Sequence, residues 1–385
     1  MTSTTPLVAH AHVAISAPLL APRGQGNYRS AGIHTYIEQT LLHLPEADPA
    51  VQLTLFAAHP PAGLDPSIKV EPPCWKIDRP AQRILWEQLA LPSATRRVKA
   101  TVLHATAFVA PIVRPAPTVI TIYDLSFALF PQFFRGFNQA YLRLGTRLST
   151  QRAQRLITIS DCTRRDVHRL YNVPLERIDV AYPGVDETLK PPTPKRVEDF
   201  QRAKHLPEKF LLFLGTLEPR KNLITLVRAF TQLKQACPEA VLVLAGGVGW
   251  LADDLFAAID ASGVKGSIVL PGYVPAEDKA LWYAASTAFV YPSIYEGFGL
   301  PPLEAMACGT PVIVSNAASL PEVVGRDGLL IAPEDVAGWA AALTRVWNDA
   351  AYRAELTDRG RQQAARFTWL ETARRTMNAY RQAGK

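Results

Sequence analysis

Two glutamates, Glu296 and Glu304, stand with seven residues between them in the run YPSIYEGFGLPPLEAMACGTP, residues 291–311. A strand is expected to end at Tyr291. Pro301 and Pro302 sit where a helix begins, because the N–H groups of a first helical turn have no intrahelical partner. Glu296 then lies in the connecting loop and Glu304 inside the helix. The free N–H groups of Gly299 and Leu300, at the positive end of the helix dipole, make an anion site. Carboxylates are poor phosphate ligands, but two of them suit hydroxyl groups on either side of a bound phosphate. The plainer alternative is a helix-capping and surface pair. A second run, GTLEPRKNL at Gly215–Leu223, directly follows a strand candidate over Phe210–Leu214. Arg220 and Lys221 are placed there to neutralise a diphosphate. A lone Arg-Lys pair is more often a solvated loop, but both runs are expected on the same edge of one sheet.

The elements that must position these residues are short apolar runs alternating with longer amphipathic ones, the pattern of parallel sheets with crossover helices. In the first half the strand candidates are Leu7–Ser16, Val51–Ala58, Ala100–Ala105, Thr118–Tyr123, Arg155–Ser160 and Ile178–Ala181. In the second half they are Lys209–Gly215, Ala240–Ala245, Ser267–Leu270, Ala288–Tyr291, Pro311–Ser315 and Gly328–Ile331. The chain of 385 residues, 48% hydrophobic and 19% charged, has material for two cores. The Pro- and charge-rich segment 190–199, KPPTPKRVED, reads as a linker. The expected fold is α/β, two doubly wound Rossmann-like domains, residues 1–189 and 200–366. Facing one another, they would enclose a cleft between the carboxyl ends of their sheets, where ligands of such folds bind.

Composition excludes several classes. The net charge of +7, carried by far more arginine than lysine, is too mild for nucleic acid. It fits a phosphorylated substrate or an anionic membrane surface. Cys74, Cys162, Cys237 and Cys308 are scattered, which argues against a disulfide framework or a zinc ribbon and fits a reducing cytosol. Residues 7–16 read as a first strand rather than a secretory signal, and no run of 18 apolar residues spans a bilayer. Gly247-Val-Gly249-Trp-Leu-Ala252 matches a dinucleotide fingerprint, but the next strand ends at Pro271 and Gly272 instead of the acidic residue that would hold a ribose. Gly24-Gln-Gly26-Asn-Tyr-Arg29 lacks the third glycine. No metal-holding Asp-x-Asp occurs, since Asp253 and Asp254 are adjacent. The segment Arg135–Arg155 reads as one basic helix, with Arg143, Arg147, Arg152 and Arg155 interleaved with apolar residues. It is either an ordinary helix with a solvated face or a surface for anionic headgroups beside a lipid-linked acceptor.

The motifs together resemble the retaining glycosyltransferases of family 4, which have the GT-B fold. Their signature of Glu, seven residues and Glu is Glu296–Glu304. GTLEPRKNL, AGGVGW at Ala245–Trp250, PGYV at Pro271–Val274, Gly309–Pro311, Ser319-Leu-Pro-Glu322 and Gly328 accompany it. Phe367-Thr-Trp369 is similar to the point where the family's last helix, here 367–385, crosses back to the N-terminal domain. The resemblance covers most of the chain and is most specific over residues 210–332.

It implies a nucleoside diphosphate sugar as donor substrate, with no cofactor and no metal. Arg220, Lys221 and the N–H groups of Gly299 and Leu300 would hold the diphosphate, with Gly215 also among the donor-binding residues. Glu304 would bind the ribose, Glu296 the transferred sugar, and Tyr273 and Val274 would lie by the base. Gly32 would approach the donor from the N-terminal domain. Tyr123-Asp124 stands where the family often has His-Asp, so the position that faces the donor sugar keeps a hydrogen-bond donor but no charge. His104 is a second candidate for that face, or a satisfied core histidine. The implied reaction is retaining transfer of a hexose to a glycan or lipid-linked acceptor. GDP-mannose is favoured over UDP-sugars because GTLEPRKNL is similar to mannosyltransferases. The expected location is the cytoplasm or the inner face of the plasma membrane. A sucrose- or trehalose-synthase-like enzyme or an epimerase of the same fold, and a non-catalytic nucleotide-sugar-binding module, are the alternatives.

Overall fold

The computed structural model describes residues 11–20, 31–133, 137–325 and 328–385. The chain forms two compact units, one of residues up to Gly184 joined by Thr368–Lys385, the other Val185–Phe367. In the first unit the strands are β1 (His12–Ser16), β2 (Gln52–Phe56), β3 (Ile68–Glu71), β4 (Val102–Ala105), β5 (Thr118–Ile122), β6 (Arg155–Thr158) and β7 (Ile178–Val180). They form one sheet in the order β3-β2-β1-β4-β5-β6-β7, every pair parallel. The second unit holds β8 (Leu211–Leu214), β9 (Leu242–Ala245), β10 (Ile268–Gly272), β11 (Ala288–Tyr291), β12 (Val312–Ser315) and β13 (Leu329–Ile331). Their order is β10-β9-β8-β11-β12-β13, again parallel. Each sheet is therefore doubly wound, and its strand order reverses once, between β1 and β4 and between β8 and β11.

The central strands of the second sheet, LLFL, LVLA, AFVY and VIVS, are buried at every position. Unbroken apolar runs of this kind mark strands covered on both faces. Phe213 of β8 and Tyr291 of β11 stack with ring centroids 5.6 Å apart, which sets the two strands on either side of the reversal in register.

The C-terminal helix, Trp369–Ala383, belongs to the first unit. Thr368 caps it by accepting the N–H of Glu371, and its buried face packs on the Ala31–Ala47 helix and on β5, β6 and β7. Tyr380 meets Nδ1 of His104 at 2.8 Å, while Nε2 of the same ring meets Thr121 at 2.8 Å. Arg381 pairs with Asp48 at 2.6 Å.

Three expectations need correcting. Segment 190–199 is no linker: it lies inside the second unit, and Pro194 opens a helix to Ala203 because proline suits a first helical turn. The basic helix ends at Arg152; Arg155 begins β6 and pairs with Asp179 at 2.8 Å. Its expected first residue, Arg135, lies outside the described residues. So do residues 7–10 of the first strand candidate and the Gly24–Arg29 turn. β3 was absent from the expected set, its IKVE having a buried first residue and a charged, largely exposed remainder.

Candidate active site

The loops that follow β8 and β11 meet at the strand-order reversal. Pro219–Lys221 forms a single 3-10 turn, and Asn222 closes it in the left-handed region at φ 56°. The Asn222 amide reaches the carbonyls of Pro292 and Pro333, and Ile294 donates its N–H to the Arg220 carbonyl at 3.0 Å. The two loops are thus stitched together by backbone groups before any charge is counted.

On that frame Glu296 is buried between two cations. Lys221 Nζ donates to Glu296 Oε1 and to the Tyr291 hydroxyl, both at 2.6 Å. Arg220 donates through Nη1 to Glu296 Oε2 at 3.1 Å and to the Tyr295 carbonyl at 2.7 Å. Its Nη2 donates to buried Glu218 at 2.7 Å. Burial alone would raise the Glu296 pKa, but Arg220 and Lys221 outweigh it and hold the carboxyl down to about 2. Burial lowers the Lys221 pKa in spite of Glu296. Two carboxylates and two cations balance, so the cluster is neutral before a ligand arrives. The Lys221 ammonium has three donors, and its bonds to Tyr291 and Glu296 use two of them.

Glycine backbone brings the neighbouring loops close. Gly246, at φ +139°, lies so near the Gly215 carbonyl that a Cβ there would come within 1.9 Å of its oxygen. Gly246 also donates to the Gly272 carbonyl at 2.7 Å, which draws in the end of β10. Beyond it Tyr273 is 70% exposed while Val274 is buried. Of the two glycines of the apparent dinucleotide fingerprint, Gly249 also serves contact between loops, since a Cβ there would come within 2.8 Å of the Leu217 carbonyl, whereas a Cβ on Gly247 would meet nothing within 4 Å.

The Leu300–Ala307 helix starts one residue earlier than expected, with Gly299 as its N-cap at φ +114°. A Cβ on Gly299 would come within 2.7 Å of Leu320. Ser319 donates to the carbonyls of Glu296 and Phe298 and so pins the loop between the two glutamates. Glu304 is buried on the first turns of this helix, where Lys279 reaches both its oxygens and the Tyr283 hydroxyl donates to Oε2 at 2.8 Å. Glu296 and Glu304 are not a surface pair.

The sites expected in the first unit stand differently. Tyr123 is buried between Tyr36 and Phe108 and donates its hydroxyl to the Thr106 carbonyl at 2.7 Å. The hydrogen bond expected for a donor sugar is engaged within the unit, because an aromatic phenol buried among apolar rings must find its own acceptor. Asp124 accepts from the N–H and hydroxyl of Ser126. His104 is the satisfied core histidine: burial lowers its pKa to about 3. Gly32 is exposed in the first turn of the Ala31–Ala47 helix.

Glu218, Tyr291, Lys279 and Tyr283 join the site although no motif marks them. Glu218 was within the quoted GTLEPRKNL, and Tyr291 closed the quoted strand. Lys279 and Tyr283 carried one usable signal, an i, i+4 spacing that puts both on one helical face.

Residues 194–363 match the family model for glycosyl transferases group 1, and residues 30–189 match that for glycosyltransferase family 4. The O-antigen chain mannosyltransferase B of Escherichia coli is 36% identical over 290 residues, 75% of this chain and 76% of that protein. Among solved structures, the sucrose-phosphate synthase of Thermosynechococcus elongatus superposes with a TM-score of 0.73 at 21% identity, over 97% of this chain and 99% of that one. The Anabaena protein Alr3699/HepE in complex with UDP-glucose gives 0.71 at 18% identity, over 96% and 98%. These two likenesses concern the fold, which is GT-B.

Proposed function

The chain belongs to the glycosyltransferases of family 4, and from that premise we propose that it moves mannose from GDP-mannose to a glycan or lipid-linked acceptor with retention of configuration and without a metal. The observation that carries the reading is Glu296 held between Arg220 and Lys221 beside the start of the Leu300–Ala307 helix, at the reversal point of its sheet. Mannose is favoured by the E. coli O-antigen mannosyltransferase relative.

The barrier to such a transfer is charge separation, positive on the anomeric carbon and negative on the departing phosphate. Arg220, Lys221 and the N–H groups of Gly299 and Leu300 take up the negative charge. Glu296, ionised throughout the working pH range, faces the sugar hydroxyls and favours a developing oxocarbenium ion. Glu304 receives the ribose hydroxyls, and the exposed Tyr273 ring stacks on the base. With the phenol of Tyr123 turned inward, we assign no charged role to its side chain. No enzymic nucleophile is required if the acceptor attacks on the face from which the phosphate leaves.

An anionic membrane surface is the proposed setting. The Phe137–Arg152 helix has no acidic residue, and Arg143, Leu144 and Arg147 on it are exposed. Leu85, Leu89, Ile112 and Val113 are also exposed, and Gln88 joins their two segments through the Ala110 carbonyl and the Ile112 N–H. Among the described residues no helix is long and apolar enough to cross a membrane.

The test is transfer from a panel of nucleotide sugars in excess EDTA, with the anomeric configuration of the product read by NMR. Turnover with GDP-mannose to an α-linked product is expected. Turnover restored only by magnesium or manganese would overturn the metal-free part. Binding without turnover on any acceptor would leave a nucleotide-sugar-binding module.

A further inference from the structure

Glu304 does not stand alone in the site. Lys279 opens the short Lys279–Ala285 helix, and Tyr283 lies one turn further along the same face. Lys279 Nζ sits 2.9 Å from Oε1 and 3.1 Å from Oε2 of Glu304, and Tyr283 donates to Oε2 at 2.8 Å. The support is stiff. Tyr283 is fully buried, packs edge-to-face on Phe289 with centroids 5.3 Å apart, and its carbonyl accepts the Thr310 hydroxyl at 2.7 Å. Lys279 is the more accessible partner, with 31% of its side chain exposed against 11% for Glu304. Burial opposes the charge of Lys279, but Glu304 outweighs it and raises the pKa, with Asp186 adding to the effect.

A carboxylate offers about four lone-pair positions, and these contacts engage most of them. A ribose diol brings two further donors. It can be accepted in full only if one existing contact yields, and the longer of the two Lys279 contacts, on the more accessible side chain, is the one placed to do so. We propose that Lys279 is a positioning residue for the nucleotide ribose: it holds Glu304 in the receiving orientation and releases one of its oxygens when the diol arrives. This rests on the reading of Glu304 given above.

The effect must show in the discrimination between ribose and its deoxy form, which a merely structural lysine would not alter. The experiment titrates GDP and UDP, each beside its 2′,3′-dideoxy form, into the wild-type chain and into Lys279→Met, Lys279→Arg and Tyr283→Phe by calorimetry. Wild type should prefer the ribose form of whichever nucleotide binds by roughly 10-fold or more, the scale of charge-assisted hydrogen bonds. Lys279→Met should reduce that preference to less than about three-fold while the dideoxy form binds as before, and Lys279→Arg should restore most of it. Equal weakening of both forms in Lys279→Met, or an unchanged preference, would overturn the proposal. A wild type with no ribose preference would instead overturn the assignment of Glu304. A Tyr283→Phe variant that loses the preference with Lys279 intact would shift the positioning role to the tyrosine and count against Lys279.

Discussion

At the residue scale the two glutamates have different partners and should fail differently. If Glu304 receives the ribose as proposed, it meets it equally in ground and transition states, and Glu304→Gln should mainly raise the donor KM. On the same proposal Glu296 meets the ring whose charge changes, so Glu296→Gln should lower kcat more than it moves KM. Steady-state kinetics on both variants under one set of conditions decides it; a larger kcat loss for Glu304→Gln would reverse the assignment. Lys221→Ala removes a charge-assisted bond worth about 1.5–3 kcal/mol, so turnover should fall roughly 10–150-fold. Its position on Glu296 adds a second expectation. Breaking a buried pair leaves a charge uncompensated, so Lys221→Ala should also lose stability in urea, whereas a solvated loop lysine would not. Glu296, Arg220 and Lys221 were legible in the sequence because their chemistry is local to two loops. Their pairing with one another was not, because two segments some 75 residues apart must first be brought together by β8 and β11. Tyr123 misled for the opposite reason: the motif located the residue, but the direction of a phenol is decided by Thr106, Tyr36 and Phe108.

At the element scale the strands were legible wherever burial on both faces makes an unbroken apolar run. The strand ends were not, since the loops continue the apolar character outward; β8 was expected over 209–215 and spans Leu211–Leu214. β3 escaped because a sheet-edge strand has one open side, and Lys69 and Glu71 pair across it. Segment 190–199 escaped because proline signals a helix start as readily as a loop. Glycine requirements are likewise set by neighbours. Gly246 and Gly263 both have positive φ, but a Cβ on Gly263 meets nothing within 4 Å, while one on Gly246 strikes the Gly215 carbonyl. Gly263→Ala should therefore cost about 1–2 kcal/mol of backbone strain alone. Gly246→Ala should cost clearly more and weaken nucleotide binding, because the loop after β8 carries Arg220. Urea titrations of the two variants check this; equal losses would mean that the loops adjust freely.

At the scale of the whole molecule, the two groups of the first unit buried most completely with large shifts into the accessible pH range, His104 and Glu87, act on stability in opposite directions. Burial lowers the His104 pKa from 6.5 to about 3, so the folded chain keeps this ring neutral. Its contribution is complete above pH 6.5 and is lost as pH falls from 6.5 toward 3. Glu87 is buried on the Trp86–Ala90 π-helical turn, and burial raises its pKa from 4.5 to about 8, with Arg83 opposing. Its contribution is complete below pH 4.5 and is lost as pH rises from 4.5 toward 8. Each slope is about 1.4 kcal/mol per pH unit within its window. Between pH 4.5 and 6.5 the two slopes oppose one another, with the lowered His12 adding to the first and the raised Asp179 to the second, so wild-type stability should change little there and fall between pH 6.5 and 8. Glu87→Gln should convert the plateau into a rise with pH from 4.5 to 6.5 and abolish the fall above it. His104→Gln should convert the plateau into a fall that runs from 4.5 to 8. Urea titrations of the full chain at half-unit pH intervals, read by pulse-labelling hydrogen exchange of the β4 and β5 segments, report the first unit separately from the second. Matching profiles for wild type and both variants would show that neither group titrates with the fold. A plateau that tilts the opposite way in either variant would show that its sign is misassigned.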